Sequence, residues 1–222
     1  MLIICHRAVD NPHSRGELMP NSPSSLAWLR TGAYGSIMQP QKSKRLTRSA
    51  WVDSGIDVLR SKGSDALKAE PMARHLNTTK GSFYWHFKDV QDFQGSVLTL
   101  WEQAAIVELS RILEEDAGGV ECFQALAKSL ADPSGTNLVL RSEPSVRAWS
   151  TNSTLAQEVV ARVDEARLSV LTTVLKRIGI ANPEVAHMVY GAAIGMSMIN
   201  DEDRRDKTKS IGSLVDLVLA LR

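Results

Sequence analysis

The sequence predicts an all-α protein: an N-terminal three-helix unit with a helix-turn-helix, followed by a C-terminal helical bundle. Three observations carry that prediction. Apolar residues recur every three or four positions, and Leu155, Val159, Val163, Ala166, Val170, Val174 and Ile178 follow the 3.6-residue period. No stretch beyond residue 115 alternates with the period of two that a half-buried strand would show. The third is the segment Met72 to Lys88, which reads as the end of one helix, a tight turn and a second short helix.

Residues 1–40 read as a disordered arm or an over-extended start. Asn11-Pro12, Pro20 to Ser25 and Thr31-Gly32 are turn and linker chemistry without periodicity. A basic leader comes next, with Lys42, Lys44, Arg45 and Arg48 placed to meet phosphates or a minor groove. The first helix is expected from about Arg48 to Ser61. Thr47 is its cap, Trp51 and Val58 are on its inner face, and Gly63 is its end. The second helix begins near Ala69, with Pro71 in its first turn, where a missing N–H costs nothing.

Within Met72–Lys88, Ala73 and Leu76 are three apart and apolar, and Asn77 tolerates the left-handed conformation of a helix exit. Thr79 is a good N-cap for the second helix of the turn. Phe83 and Phe87, four apart, share an inward face and leave Lys80, Ser82, Tyr84, Trp85 and His86 on the others. A hydroxyl, a cation and free backbone N–H groups at a helix start suit phosphate oxygens and base edges. Gly81 permits a close backbone approach. Packing alone would explain the two phenylalanines but gives Lys80, Ser82 and His86 no task, so duplex DNA is the preferred partner.

Thr79-Lys80-Gly81-Ser82-Phe83-Tyr84-Trp85-His86-Phe87-Lys88 resembles the recognition-helix signature of TetR-family transcriptional regulators. Leu46 to Gly55 resembles the family's first helix, Gly63 to Leu67 its helix 1–2 connection, and Asp89 to Glu102 the start of its fourth. About sixty residues are covered in order. The resemblance implies that Thr79, Lys80, Gly81, Ser82, Tyr84, Trp85 and His86 face DNA. Lys80 and Lys88 are then the main phosphate contacts. Where the family usually has a capping Thr, this chain has Lys68, which cannot cap but can meet a phosphate.

Charge is distributed accordingly. Residues 41–100 carry ten basic and six acidic side chains, whereas residues 101–222 carry thirteen and seventeen. Positive charge therefore travels with the helix-turn-helix. The two cysteines, Cys5 and Cys122, form no metal or redox spacing and suit a reducing cytoplasm. Ala186 to Ile199, the longest apolar run, is too short to span a bilayer, so no membrane partner is expected. No P-loop, dinucleotide fingerprint or nucleophile–base set occurs, so neither an enzyme nor a cofactor is expected, and the histidines make no metal pattern.

The fourth helix is expected over Asp89 to Glu115, apolar on two faces and closed by Gly118-Gly119. Further helices are expected over Glu121–Leu130, Thr136–Ser150, Thr154–Ile178, Pro183–Asn200 and Lys207–Leu221. On the Thr154 helix, Arg162, Asp164, Glu165 and Arg167 read as a solvated outer face. The last two helices place small residues beside methionines. Met188, Gly191, Ala192, Gly195, Met196, Leu214 and Val218 form a seam that resembles the family's four-helix dimer interface. The alternative is an internal core of one chain. Trp101, Phe123, Trp149, His187 and Tyr190 are the candidates for binding a small apolar effector.

The expected organisation is thus residues 1–40 as extension, 41–88 as DNA-binding domain and 89–222 as effector-binding and dimerisation domain. The expected function is a ligand-responsive repressor that binds a palindromic operator as a homodimer. Two alternatives stand beside it: an effector-independent architectural DNA-binding protein on the same scaffold, and an all-helical small-molecule-binding protein or enzyme without DNA binding.

Overall fold

The computed structural model describes residues 46–114, 118–131, 137–199 and 207–222. The readings on residues 1–40 and on Lys42, Lys44 and Arg45 lie outside the described residues. Among the described residues the regular structure is helical, without a strand. The helices are α1 (Arg48–Lys62), α2 (Ala69–His75), α3 (Lys80–His86), α4 (Val90–Glu114), α5 (Gly119–Ala131), α6 (Glu143–Ser150), α7 (Thr154–Arg177), α8 (Pro183–Met198) and α9 (Lys207–Leu219).

Local chemistry sets most of the boundaries. The Thr47 hydroxyl accepts from Ala50 N at 3.1 Å to open α1, and Gly63 (φ 79°) closes it. Ser153 caps α7, and Gly179 (φ 91°) lies just past its end. Asn182 caps α8, with Pro183 at the first helical position. Two boundaries differ from expectation. The segment expected to be one helix from Thr136 forms a short 3₁₀ turn at Leu140–Ser142 and then α6. Pro144 accounts for this, since it is tolerated only in a first helical turn. Gly119 opens α5 instead of closing α4; a Cβ there would lie 2.7 Å from Ile178 Cγ2, so this glycine permits contact with the end of α7.

Two apolar clusters support these helices. The first joins α1, α2, α3 and the first half of α4 to Leu140, α6 and the start of α7, around Trp51, Phe83, Phe87, Phe93 and Trp101. Packing is therefore continuous across residue 88. The second joins the end of α4 to α5, the second half of α7, α8 and α9, around Ile112, Phe123, Leu126 and Leu171. Fully burying side chains of this size contributes about 1.5–3 kcal/mol each. Helix α1 meets α4 closely because residue 55 is glycine: a Cβ there would sit 2.6 Å from Val97 Cγ2.

The solvated charged face expected on α7 is only partly that. Glu165 and Arg162 are exposed, but Arg167 is 5 % exposed and donates to both oxygens of the buried Glu143 at 2.8 and 3.0 Å. Asp164 accepts from Arg147 at 2.6 and 3.1 Å and from the Tyr190 hydroxyl at 2.6 Å. The partners come from α6 and α8, which periodicity along one helix does not show.

Candidate nucleic-acid interface

The second helix of the turn is anchored from below. Phe83 and Phe87 are buried, with ring centroids 5.2 Å apart, and both pack edge-on against Phe93 of α4. Trp51 of α1 meets Phe83 edge-on at 5.5 Å. Four aromatic rings from three helices and the α3 exit thus fix the height and rotation of α3, and such pairs add about 0.5–1.5 kcal/mol each beyond area burial. Asn77, at φ 50°, makes the left-handed exit from α2. Thr79 caps α3, its hydroxyl accepting from Ser82 N at 3.2 Å.

With that face buried, helical geometry assigns the outward residues. Thr79, Lys80, Gly81, Tyr84, Trp85 and Lys88 are exposed, and Ser82 and His86 are half-buried. Trp85 is 71 % exposed and Tyr84 48 %. His86 turns partly inward, its ring 6.4 Å from that of Trp51, which leaves it a smaller share of the outer face than its neighbours. Lys80 and Tyr84 border a groove of about 480 Å³ that is also lined by Lys68, just before α2, and Arg74 within it. Lys68 precedes α2 without capping it, as its side chain requires. Arg74 joins the candidate surface only through the structure. It lies within the Met72–Lys88 segment, exposed on the same groove, where it pairs with Glu70 at 3.0 Å. Its place in the chain and its charge were the signals that could have found it.

Arg48 is placed differently from expectation. Its guanidinium does not extend freely from the first turn of α1. It donates from Nη2 to Asp92 Oδ1 at 2.8 Å and to Ser96 Oγ at 2.9 Å, and from Nε to the His86 carbonyl at 3.3 Å. It also lies 4.8 Å above the Phe87 ring.

No protein-family model and no curated protein matches the chain. Solved structures do match. A regulatory protein of the TetR family from Rhodococcus superposes with a TM-score of 0.62 at 15 % identity, covering 80 % of this chain and 96 % of its own. A TetR-family transcriptional regulator from Streptomyces coelicolor gives 0.61 at 14 %, covering 78 % and 88 %. The transcriptional regulator FadR from Bacillus subtilis, solved in complex with stearoyl-CoA, gives 0.62 at 14 %, covering 78 % and 98 %.

The fold is the TetR-family fold.

In this TetR-like frame the expected effector residues are dispersed. Trp101 and Trp149 belong to the first apolar cluster, Phe123 and Tyr190 to the second. His187 is exposed, its Nδ1 3.3 Å from the Pro183 carbonyl. Trp101 is fully buried with the Arg167 guanidinium 5.9 Å above its ring. Trp149 borders an open groove of about 290 Å³ with Leu59, Ser145 and Asn152. The Tyr190 hydroxyl is engaged by Asp164 and by Arg147 Nη2 at 3.0 Å. Burial, opposed in part by the neighbouring arginines, pushes its pKa up to about 12. Burial also opposes the charges of Arg147 and Arg167. Their hydrogen bonds and pairing with Asp164 and Glu143 outweigh it, and both pKa values rise above the usual arginine value.

The expected dimer seam separates into outward and inward parts. On α8, Met188 (70 % exposed), Gly191 and Gly195 face outward, and Ala192 and Met196 are half-buried. On α9, Leu214 is half-buried, whereas Val218 is buried inside the same chain, so the assignment of Val218 to a dimer surface is corrected. Leu217 and Leu221 are the exposed apolar residues there. The 3.6-residue period explains the displacement: with Ile211 and Val215 inward, Val218 falls on their side and Leu217 on the opposite one.

Proposed function

We propose that this protein is a DNA-binding transcriptional regulator that acts as a homodimeric, ligand-responsive repressor. The observation that carries the reading is α3 itself. A seven-residue helix with its apolar face fixed on four rings presents Lys80, Gly81, Tyr84 and Trp85 to solvent, with Lys88 just beyond it. Core packing does not require aromatics of this size to stay exposed, whereas a surface that reads base edges, thymine methyls and phosphates uses them. In this proposal residues 41–88 are the DNA-reading part, and residues 89–222 hold the effector and dimer functions. Two copies related by a twofold axis would set their α3 helices in successive major grooves, about 34 Å or a multiple apart, on a near-palindromic site.

FadR, which shares the fold, was solved in complex with stearoyl-CoA, a molecule whose acyl chain is apolar and whose CoA head is polar. This supports an effector with an apolar part for this chain, proposed here in the C-terminal helices. Trp101, Phe123, Trp149 and Tyr190 are proposed as its surroundings, with an opening between the two clusters on binding. The close packing of those residues favours a second reading, an effector-independent DNA-binding protein on this scaffold. A metabolite screen by thermal shift separates the two, because an effector that binds only the folded state raises its stability. Gel-shift with the protein's own upstream DNA tests the common claim. A retarded complex that weakens steeply with salt supports it, and no complex at low salt refutes it.

A further inference from the structure

The first turn of α1 meets the junction of α3 and α4 through one side chain. Arg48 reaches 38 residues along the chain to the carbonyl of His86, the last residue of α3, and 44 and 48 residues to Asp92 and Ser96 in α4. Asp92 completes the closure. Its Oδ2 accepts from Lys88 N at 3.0 Å, so one carboxylate holds both the arginine and the backbone that leaves α3. The Phe87 ring lies under the guanidinium, which fixes the plane of the fork. The Arg48 head is thereby committed to the protein, on α3 and α4 at once, from its own place on α1.

We infer that Arg48 is a positioning residue for DNA recognition: with Asp92 it locks the exit of α3 to the first turns of α1 and α4, so that α3 holds one orientation and moves when α4 moves. This assignment rests on the DNA-binding reading above. It reverses the role suggested by the sequence, where Arg48 belongs to a basic leader that contacts phosphate. The two roles differ in sign. If Arg48 were a phosphate contact, removing the Asp92 charge would release the arginine toward DNA and take an anion away from phosphate, so binding would strengthen. If it is a lock, the same change frees α3, and specific binding weakens while non-specific binding does not.

The test uses the full-length protein and two duplexes, one selected from a random library by the unaltered protein and one scrambled, with binding followed by fluorescence anisotropy across a salt series. Asp92→Asn and Arg48→Ala should each weaken binding to the selected duplex on the order of tenfold, the loss expected for hydrogen bonds to a charged group. Binding to the scrambled duplex and the slope of log K against log salt should stay as they were. Lys80→Ala, as the reference for a true phosphate contact, should flatten that slope by about 0.9. Arg48→Lys should not restore binding, since a lysine keeps the charge but lacks the planar fork. Stronger binding by Asp92→Asn, rescue by Arg48→Lys, or a flattened slope in Arg48→Ala overturns the assignment and leaves the DNA-binding reading standing. If Arg48→Ala fails to fold, Asp92→Asn alone decides. An unaltered protein that binds neither duplex at low salt overturns both.

Discussion

Lys80 and Lys88 bracket α3, and each is exposed with no ion pair among the described residues. Cations so placed are available to neutralise phosphates. Lys80→Ala and Lys88→Ala should therefore each weaken binding to any duplex and reduce the salt slope by about 0.9; an unchanged slope would remove that lysine from the interface. Inward and outward placements of this kind are legible in the sequence because they depend on neighbours three or four positions away, as with Phe83 and Phe87. The roles of Arg48 and Arg167 are not, because their partners Asp92 and Glu143 lie on other helices. Tyr190 carries a pH signature. Its folded pKa is raised to about 12, so its protonated form is the one the fold favours. The stability it contributes is complete below its unfolded value near pH 10 and is lost as pH rises toward 12, at most about 2–3 kcal/mol. Denaturant unfolding of the unaltered protein and Tyr190→Phe should show a stability gap near pH 8 that narrows between about pH 10 and 12; a gap that stays constant would contradict it.

At the scale of elements, two contacts govern how the helices sit together. The α1–α4 contact depends on Gly55, where an added side chain meets Val97 and Phe93 at once. Gly55→Leu should lower stability by about 1–3 kcal/mol through overpacking, read as a lower midpoint in urea with helix content kept; an unshifted midpoint would mean the helices separate freely. The α6–α7 contact depends on Glu143 and Arg167. Glu143→Ala leaves the buried Arg167 guanidinium without its partner and takes one of two carboxylates from Arg147, which keeps Asp164. It should cost about 3–5 kcal/mol, whereas replacing Glu143 and Arg167 together by Leu and Met should cost less. Equal losses in the two variants, by urea unfolding, would mean that packing and not charge holds this contact. Helix existence is legible throughout the sequence, since period and capping residues such as Thr47, Ser153 and Asn182 act locally. The 3₁₀ turn before α6 is not, because apolar spacing runs through it, although Pro144 is visible. The inward turn of Val218 is hidden for a different reason: the last helix could present either of two adjacent stripes to its own chain.

For the whole molecule, recognition of a near-palindromic site requires two copies. The outward apolar residues of α8 and α9, Met188, Gly191, Gly195, Leu217 and Leu221, have no covering element among the described residues. Met188→Lys with Leu217→Lys should shift the protein to a monomer in sedimentation analysis and weaken binding to a palindromic site far more than to a half-site; a mutant that remains dimeric would place the interface elsewhere. The fold class is legible because the helical period recurs over most of the described chain and one turn signature, Met72–Lys88, marks the α2–α3 unit. The proposed effector site is not legible in that way, because its candidate residues are spread over two cores and large aromatics serve packing and ligand contact equally well. Footprinting on duplexes selected from random DNA by the unaltered protein puts the role of α3 to its sharpest test. Two protected major-groove patches are expected, related by a twofold axis and about 34 Å or a multiple apart, and they should vanish when Lys80 and Tyr84 are replaced by alanine. Selection that enriches no sequence, or protection that survives those replacements, would mean that α3 does not read DNA.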